Sequence, residues 1–212
     1  MFTSYGNSTM TKVFIMSLLI SAAALLFPIW LRIVFLLTAC TAMLFTLYFF
    51  RDPDRKIPYE NRTVLAPADG KILLVQQHVQ KSSGKSVTLI SIFMSPFNVH
   101  VNRIPLSGKV THLQYCPGKF LMAFDPQSVE NNEKMEIGID NGEIEVFFNQ
   151  VSGFLARRIV CTLQVGETVN SGNRFGMIKF GSRVDVTLPS SASVQVQPGQ
   201  TTRAGETILA RY

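Results

Sequence analysis

Gly181-Ser182 is the one Gly-Ser dipeptide in a chain of 212 residues. It lies inside a strand-like run from Arg174 to Val186. A serine hydroxyl there can attack the carbonyl of the residue before it, exchanging an amide for an ester. Elimination of that ester cuts the chain and leaves dehydroalanine, which hydrolyses to a pyruvoyl group. The attack needs a peptide held in an awkward geometry, and Gly181 has no side chain to oppose one. The products would be a large chain, 1–181, and a small chain, 182–212, whose first residue is a ketone. That ketone would be a covalent electrophilic cofactor made from Ser182. A substrate amine condenses with it to a Schiff base, and a carboxylate then leaves with its electrons drawn into the adjacent carbonyl. The scheme requires no metal and no diffusible cofactor. A Gly-Ser pair alone is most often a turn, so its surroundings decide.

His100, between Val99 and Val101, is the best acid/base candidate, set against a plain polar residue on a half-exposed strand. His78 and His112 read as surface or strand histidines. Asp69, between Ala68 and Gly70, reads locally as a turn aspartate. Arg157 and Arg158 could bind a phosphate or pair with acids in a sheet.

These residues need a β scaffold. Met135, Ile137 and Ile139 alternate with polar or small residues, Asn141-Gly142 follows, and Ile144, Val146 and Phe148 alternate again. Asn-Gly between alternating runs marks a hairpin. Val87 to Met94 reads as a buried strand, Ile159, Cys161, Leu163 and Val165 alternate, and Val184, Val186 and Leu188 suit a small chain woven into a sheet. A short helix fits only between Gly118 and Asn132. Gln164-Val165-Gly166-Glu167 with Gly172 is echoed by Gln197-Pro198-Gly199-Gln200 with Gly205. Such turns resemble the hammerhead hairpins of biotinyl and lipoyl domains. The expected fold is therefore mostly β, a strand-swapped β-sandwich over residues 57–212. A membrane-anchored, non-catalytic adaptor built on lipoyl-like hairpins is the competing reading.

Residues 1–56 read as a membrane-associated helical hairpin and linker. Val13 to Trp30 and Ile33 to Phe50 are apolar runs of about 18 residues, roughly 27 Å as helix against a hydrocarbon core of about 30 Å. The sequence places the turn near Pro28 to Arg32, because one long helix would carry both residues in its middle. The hairpin either spans the bilayer or dips into one leaflet. Lys12 precedes it, and Arg51, Arg55 and Lys56 follow, which puts both flanks and the β domain on the cytoplasmic face of the cell membrane. The net charge of +6 suits an anionic membrane surface. The phenylalanines lie in apolar runs and are not interleaved with basic residues, which argues against nucleic acid. Cys40, Cys116 and Cys161 form no close pair, so neither zinc nor a disulfide framework is indicated.

Five ordered motifs between Phe50 and Leu188 resemble the short form of the phosphatidylserine decarboxylase family. They are Arg51-Asp52-Pro53, Ala66 to Gly70, Ser95 to Arg103, Ala156 to Ile159, and Phe180-Gly181-Ser182. The resemblance implies a self-processing, pyruvoyl-dependent proenzyme that converts phosphatidylserine to phosphatidylethanolamine and carbon dioxide. An archaetidylserine-type ether lipid is the alternative substrate. It implies a heterodimer of the large and small chains and is compatible with further homo-oligomerisation. It also gives Asp69, His100 and Ser182 a joint role in self-cleavage. The chain departs from longer members at Arg103, where they carry a second histidine, so His100 serves one step or both. It departs again at Asn132-Glu133-Lys134, where they commonly end in arginine. Arg103, Lys134, Arg157 and Arg158 are the candidates for substrate binding.

Overall fold

Proline has no amide hydrogen to give, so it starts helices more readily than it continues them. The computed structural model describes residues 1–79, 84–121, 131–153, 158–179 and 182–212. In it Pro28 is the N-cap of helix α2 (Ile29–Phe49), while α1 runs Asn7–Ala24. The turn therefore falls at residues 25–28, earlier than the sequence suggested, and Arg32 lies in the first turn of α2. Its guanidinium donates to the carbonyls of Leu25 (3.2 Å) and Phe27 (3.5 Å). A charge between two apolar runs is thus used to satisfy backbone groups at the C-terminal end of α1. The open end of the hairpin is closed by Thr3 N donating to Phe50 O (3.0 Å) and Asp52 N donating to Met1 O (2.7 Å). By length and composition both helices could cross a membrane.

The chain divides into two units, residues 1–54 and 55–212. Among its described residues the second has fourteen strands: β1 (Thr63–Leu65), β2 (Gly70–Val79), β3 (Ser86–Met94), β4 (Val101–Arg103), β5 (Gly108–Cys116), β6 (Lys134–Asp140), β7 (Glu145–Val151), β8 (Ile159–Cys161), β9 (Thr168–Val169), β10 (Arg174–Ile178), β11 (Ser182–Pro189), β12 (Ser193–Val194), β13 (Thr201–Thr202) and β14 (Ile208–Arg211). Eight form one curled antiparallel sheet in the order β13-β2-β3-β11-β7-β6-β5-β9, and two three-stranded sheets, β4-β10-β8 and β1-β14-β12, complete the fold. The core collects Ile72, Ile90, Ile92, Ile137, Ile139, Phe148, Val184 and Val186, the inward set of the central strands. The Asn141-Gly142 signal is a true hairpin. Asp140 faces Glu145, and the side-chain oxygen of Asn141 accepts from the amides of Glu143 and Ile144.

The weak repeat is real architecture. Gly166 and Gly199 both take positive φ, as do Gly172 and Gly205, which glycine adopts without steric cost. Gly166 N donates to Val110 O and Gly199 N to Ile72 O; Gly172 N donates to Ile104 O and Gly205 N to Ala66 O, all at 2.8 Å. After each turn a two-residue strand adds to an edge of the large sheet: β9 on β5, β13 on β2. Segment 122–130, most of the Gly118 to Asn132 stretch that could contain a short helix, lies outside the described residues.

Candidate active site

Ser182 opens β11, a central strand held on both sides. Ser182 pairs with Met94 on β3, and the next residue, Arg183, pairs with Val151 on β7. Ser182 is fully buried, and its hydroxyl donates to the Met94 sulfur at 3.3 Å. A thioether is a weak acceptor, so the oxygen is positioned without a strong bond that attack would have to break. The same sulfur takes a contact from the Asn102 amide at 3.8 Å, and Asn102 also reaches Pro67 O at 3.4 Å. Gln150 in turn donates to Asn102 Oδ1 at 2.9 Å and to Val160 O at 3.3 Å. Gly176 is required beside this network, since a Cβ there would run into the Val160 carbonyl oxygen. Gly181, the other half of the expected cleavage site, lies outside the described residues.

His100 is also fully buried. It directly precedes β4, whose Val101 pairs with Met177 on β10, the strand that leads into Ser182. His100 Nδ1 lies 2.9 Å from the Asn98 carbonyl oxygen. A carbonyl can only accept, so Nδ1 carries the hydrogen. In the neutral ring Nε2 then holds the lone pair. The Asn98 turn is itself tied: Asn98 Oδ1 accepts from Ser95 N and Ser95 Oγ, both at 2.8 Å.

Asp69 takes other partners among the described residues. Its carboxylate receives both oxygens' worth of contact from Arg55, at 2.9 and 2.8 Å, and the Ala204 amide donates to it at 2.8 Å. In the second copy of the repeat, Ser107 stands where Asp69 does, and Ser171 N donates to its hydroxyl at 2.9 Å. The bond to Ala204 is therefore a turn device that a serine also supplies. Arg55 is what distinguishes the Asp69 copy. Gly70, next in the chain, approaches the Phe93 carbonyl too closely for any side chain, which brings Asp69 near the strand end that carries Met94.

The four candidates for substrate binding separate. Arg103 is buried and donates to Gly172 O at 2.8 Å. Lys134 is paired with Glu136 at 2.8 Å. Arg158 is exposed, and Arg157 lies outside the described residues. The Asn132-Glu133-Lys134 segment is no solvated loop. Asn132 bonds Leu121 through N–H and C=O and also reaches Ser152 O, and Tyr115 donates to Glu133 at 3.0 Å.

Sequence reasoning missed one pair altogether. Arg183 and Asp185 alternate with the core-facing valines of β11, and the alternation of Val184, Val186 and Leu188 says nothing of them. Both are buried, joined by Nε–Oδ1 and Nη2–Oδ2 contacts of 2.9 Å. Burial pushes the Asp185 carboxyl above the usual range, opposed by the positive charges of Arg183 and Lys134. The only signal available was an i, i+2 charge pair of opposite sign.

Residues 42–210 match the family model for phosphatidylserine decarboxylase. A phosphatidylserine decarboxylase proenzyme of Pelodictyon phaeoclathratiforme is 72% identical over 212 residues, covering all of both chains. Proenzymes of the same name from Chlorobium phaeobacteroides and Chlorobaculum tepidum are 59% and 54% identical, over 99% and 97% of this chain and 99% and 95% of theirs. The chain belongs to the phosphatidylserine decarboxylase family. The paired glycine turns thus belong to the scaffold of a chain of this family, and Ser182 and His100 are both fully buried within it. Membership also fits the two apolar helices of a chain whose relatives are named for a lipid substrate.

Proposed function

We propose that this protein is a proenzyme that cuts itself between Gly181 and Ser182 and then decarboxylates phosphatidylserine to phosphatidylethanolamine. The observation that carries the reading is Ser182 itself, buried at the first position of β11 with, among the described residues, a thioether as the partner of its hydroxyl. Attack of Oγ on the Gly181 carbonyl carbon forms the ester and breaks the C–N bond, and the nitrogen gains the proton that the hydroxyl gives up. Loss of the Cα hydrogen of residue 182 then expels the Gly181 carboxylate. Water replaces the nitrogen, which leaves as ammonia, and a ketone remains at the head of the small chain. The surroundings fit such a group: eight residue pairs with β3 and five with β7 hold residues 182–189 in place once the covalent link is gone. The pyruvoyl group supplies an electron sink for the carbon–carbon bond that breaks.

His100 does the proton work in this reading. With Nδ1 committed to Asn98, its Nε2 can take the Ser182 hydroxyl proton during processing and deliver a proton to the product carbon during turnover. Its burial keeps bulk water from competing. Asp69, locked by Arg55, is proposed to serve self-cleavage by fixing the start of β2 against the end of β3. Arg158, and Arg157 beside it in sequence, are the groups we assign to the anionic headgroup, because Arg103 and Lys134 already hold Gly172 and Glu136. The active form would be a heterodimer of chains 1–181 and 182–212, on the cytoplasmic face of the membrane.

The test is release of carbon dioxide from phosphatidylserine vesicles by wild-type protein and by Ser182→Ala. The substituted chain is expected to stay uncut and to release none. Release by purified Ser182→Ala protein would remove the pyruvoyl mechanism from consideration.

A further inference from the structure

Phe97 is 67% exposed, more than any other phenylalanine among the described residues, those of the two apolar helices included. It does not sit on a loose loop. Pro96 fixes the backbone before it, Asn98 N donates to Ser95 O at 3.0 Å, and Asn98 Oδ1 holds both Ser95 donors. About two thirds of the residue is therefore presented to solvent, where that apolar area forfeits its transfer free energy. The same turn ends on the carbonyl that orients His100. The reacting groups, His100 and Ser182, are fully buried. A lipid headgroup must leave the plane of its leaflet to reach them while its tails stay behind, so the mouth of the site has to press on the membrane.

On the reading of the site given above, we propose that Phe97 is an interfacial anchor that seats the mouth of the site on a phospholipid surface. A bilayer is the fitting partner because the same chain carries two helices apolar enough to cross one, together with a net charge of +6. A protein partner would be the other occupant of an exposed aromatic.

The full chain, reconstituted in phosphatidylcholine/phosphatidylglycerol vesicles, decides. Trp30 is the only tryptophan, so Phe97→Trp in a Trp30→Phe background reports on this position alone. Its emission is expected to lie to the blue and to be quenched by lipids brominated on their acyl chains. Emission characteristic of water, or unquenched emission that shifts with protein concentration, overturns the proposal, the latter in favour of a protein contact. Phe97→Ser is expected to lower kcat/KM for phosphatidylserine in vesicles about tenfold, through KM. Turnover of monomeric dihexanoyl phosphatidylserine and completeness of self-cleavage should be unchanged. Equal loss on both substrates, or loss on neither, overturns it. If the wild type turns over neither substrate, the functional reading fails, and the quenching still settles the anchor by itself.

Discussion

A buried hydroxyl normally finds a strong acceptor, and among the described residues Ser182 finds the sulfur of Met94. That weakness suits a nucleophile whose oxygen must leave its partner, and on the proposed function proton transfer is assigned to His100. His100→Gln keeps a polar side chain of similar reach but cannot carry a proton, and we expect decarboxylation to fall by about 10²–10⁴-fold, read as carbon dioxide release per cleaved chain. A variant within a few-fold of wild type would assign the proton elsewhere. Further along β11 from Ser182, Asp185 offers a stability test. Asp185→Ala leaves Arg183 buried without its carboxylate and should cost about 3–5 kcal/mol, whereas Arg183→Met with Asp185→Leu should cost far less. Because burial raises the carboxyl's pKa in the folded state, the folded protein holds a proton that the unfolded chain has already lost. That contribution is present at low pH and is lost as pH rises from the ordinary carboxylate value through the raised one. Urea midpoints across that window should fall with pH in the wild type more steeply than in the double variant.

At the scale of elements, the strands that expose their period were legible and the devices between them were not. The β6–β7 hairpin, the buried β3 and the alternation of β11 all follow from residue types and a period of two. The repeated Gly166 and Gly199 turns gave the sandwich. Arg183 and Asp185 escaped because alternation says which residues share a face, not whether a second layer covers it. Arg55 was read as a flanking charge, yet its side chain is buried between Asp69 and Glu206, a pairing across far-separated segments that no local pattern encodes. The repeat also supplies a clean variant for Asp69. Asp69→Ser copies what Ser107 does in the other half, so the turn at Ala204 should hold and the melting temperature should move by only a few degrees. Self-cleavage should nevertheless stall, seen as uncut chain on a denaturing gel. Normal cleavage would assign Asp69 to the turn alone.

The whole molecule joins an apolar hairpin to a β-rich unit in which Ser182 and His100 are buried. Of the basic residues that oriented the hairpin in the sequence, Arg51 packs its guanidinium 3.8 Å over the Tyr48 ring, while Arg55 is neutralised by its carboxylates. Lys12, Arg51 and Lys56 carry the orientation that remains. Tyr59 is fully exposed and marks the side on which the domain lies. With the three native cysteines replaced by serine, Tyr59→Cys should resist a membrane-impermeant maleimide in intact cells and react once they are permeabilised. Labelling of intact cells would reverse the topology. The central claim, that Ser182 is converted to the working group, is tested most directly by the intact mass of protein purified from membranes. The account predicts two chains that part between Gly181 and Ser182, the smaller one lighter than its serine form by one ammonia. A single uncut chain in a preparation that releases carbon dioxide from phosphatidylserine, or a small chain that begins with unmodified serine, would contradict it.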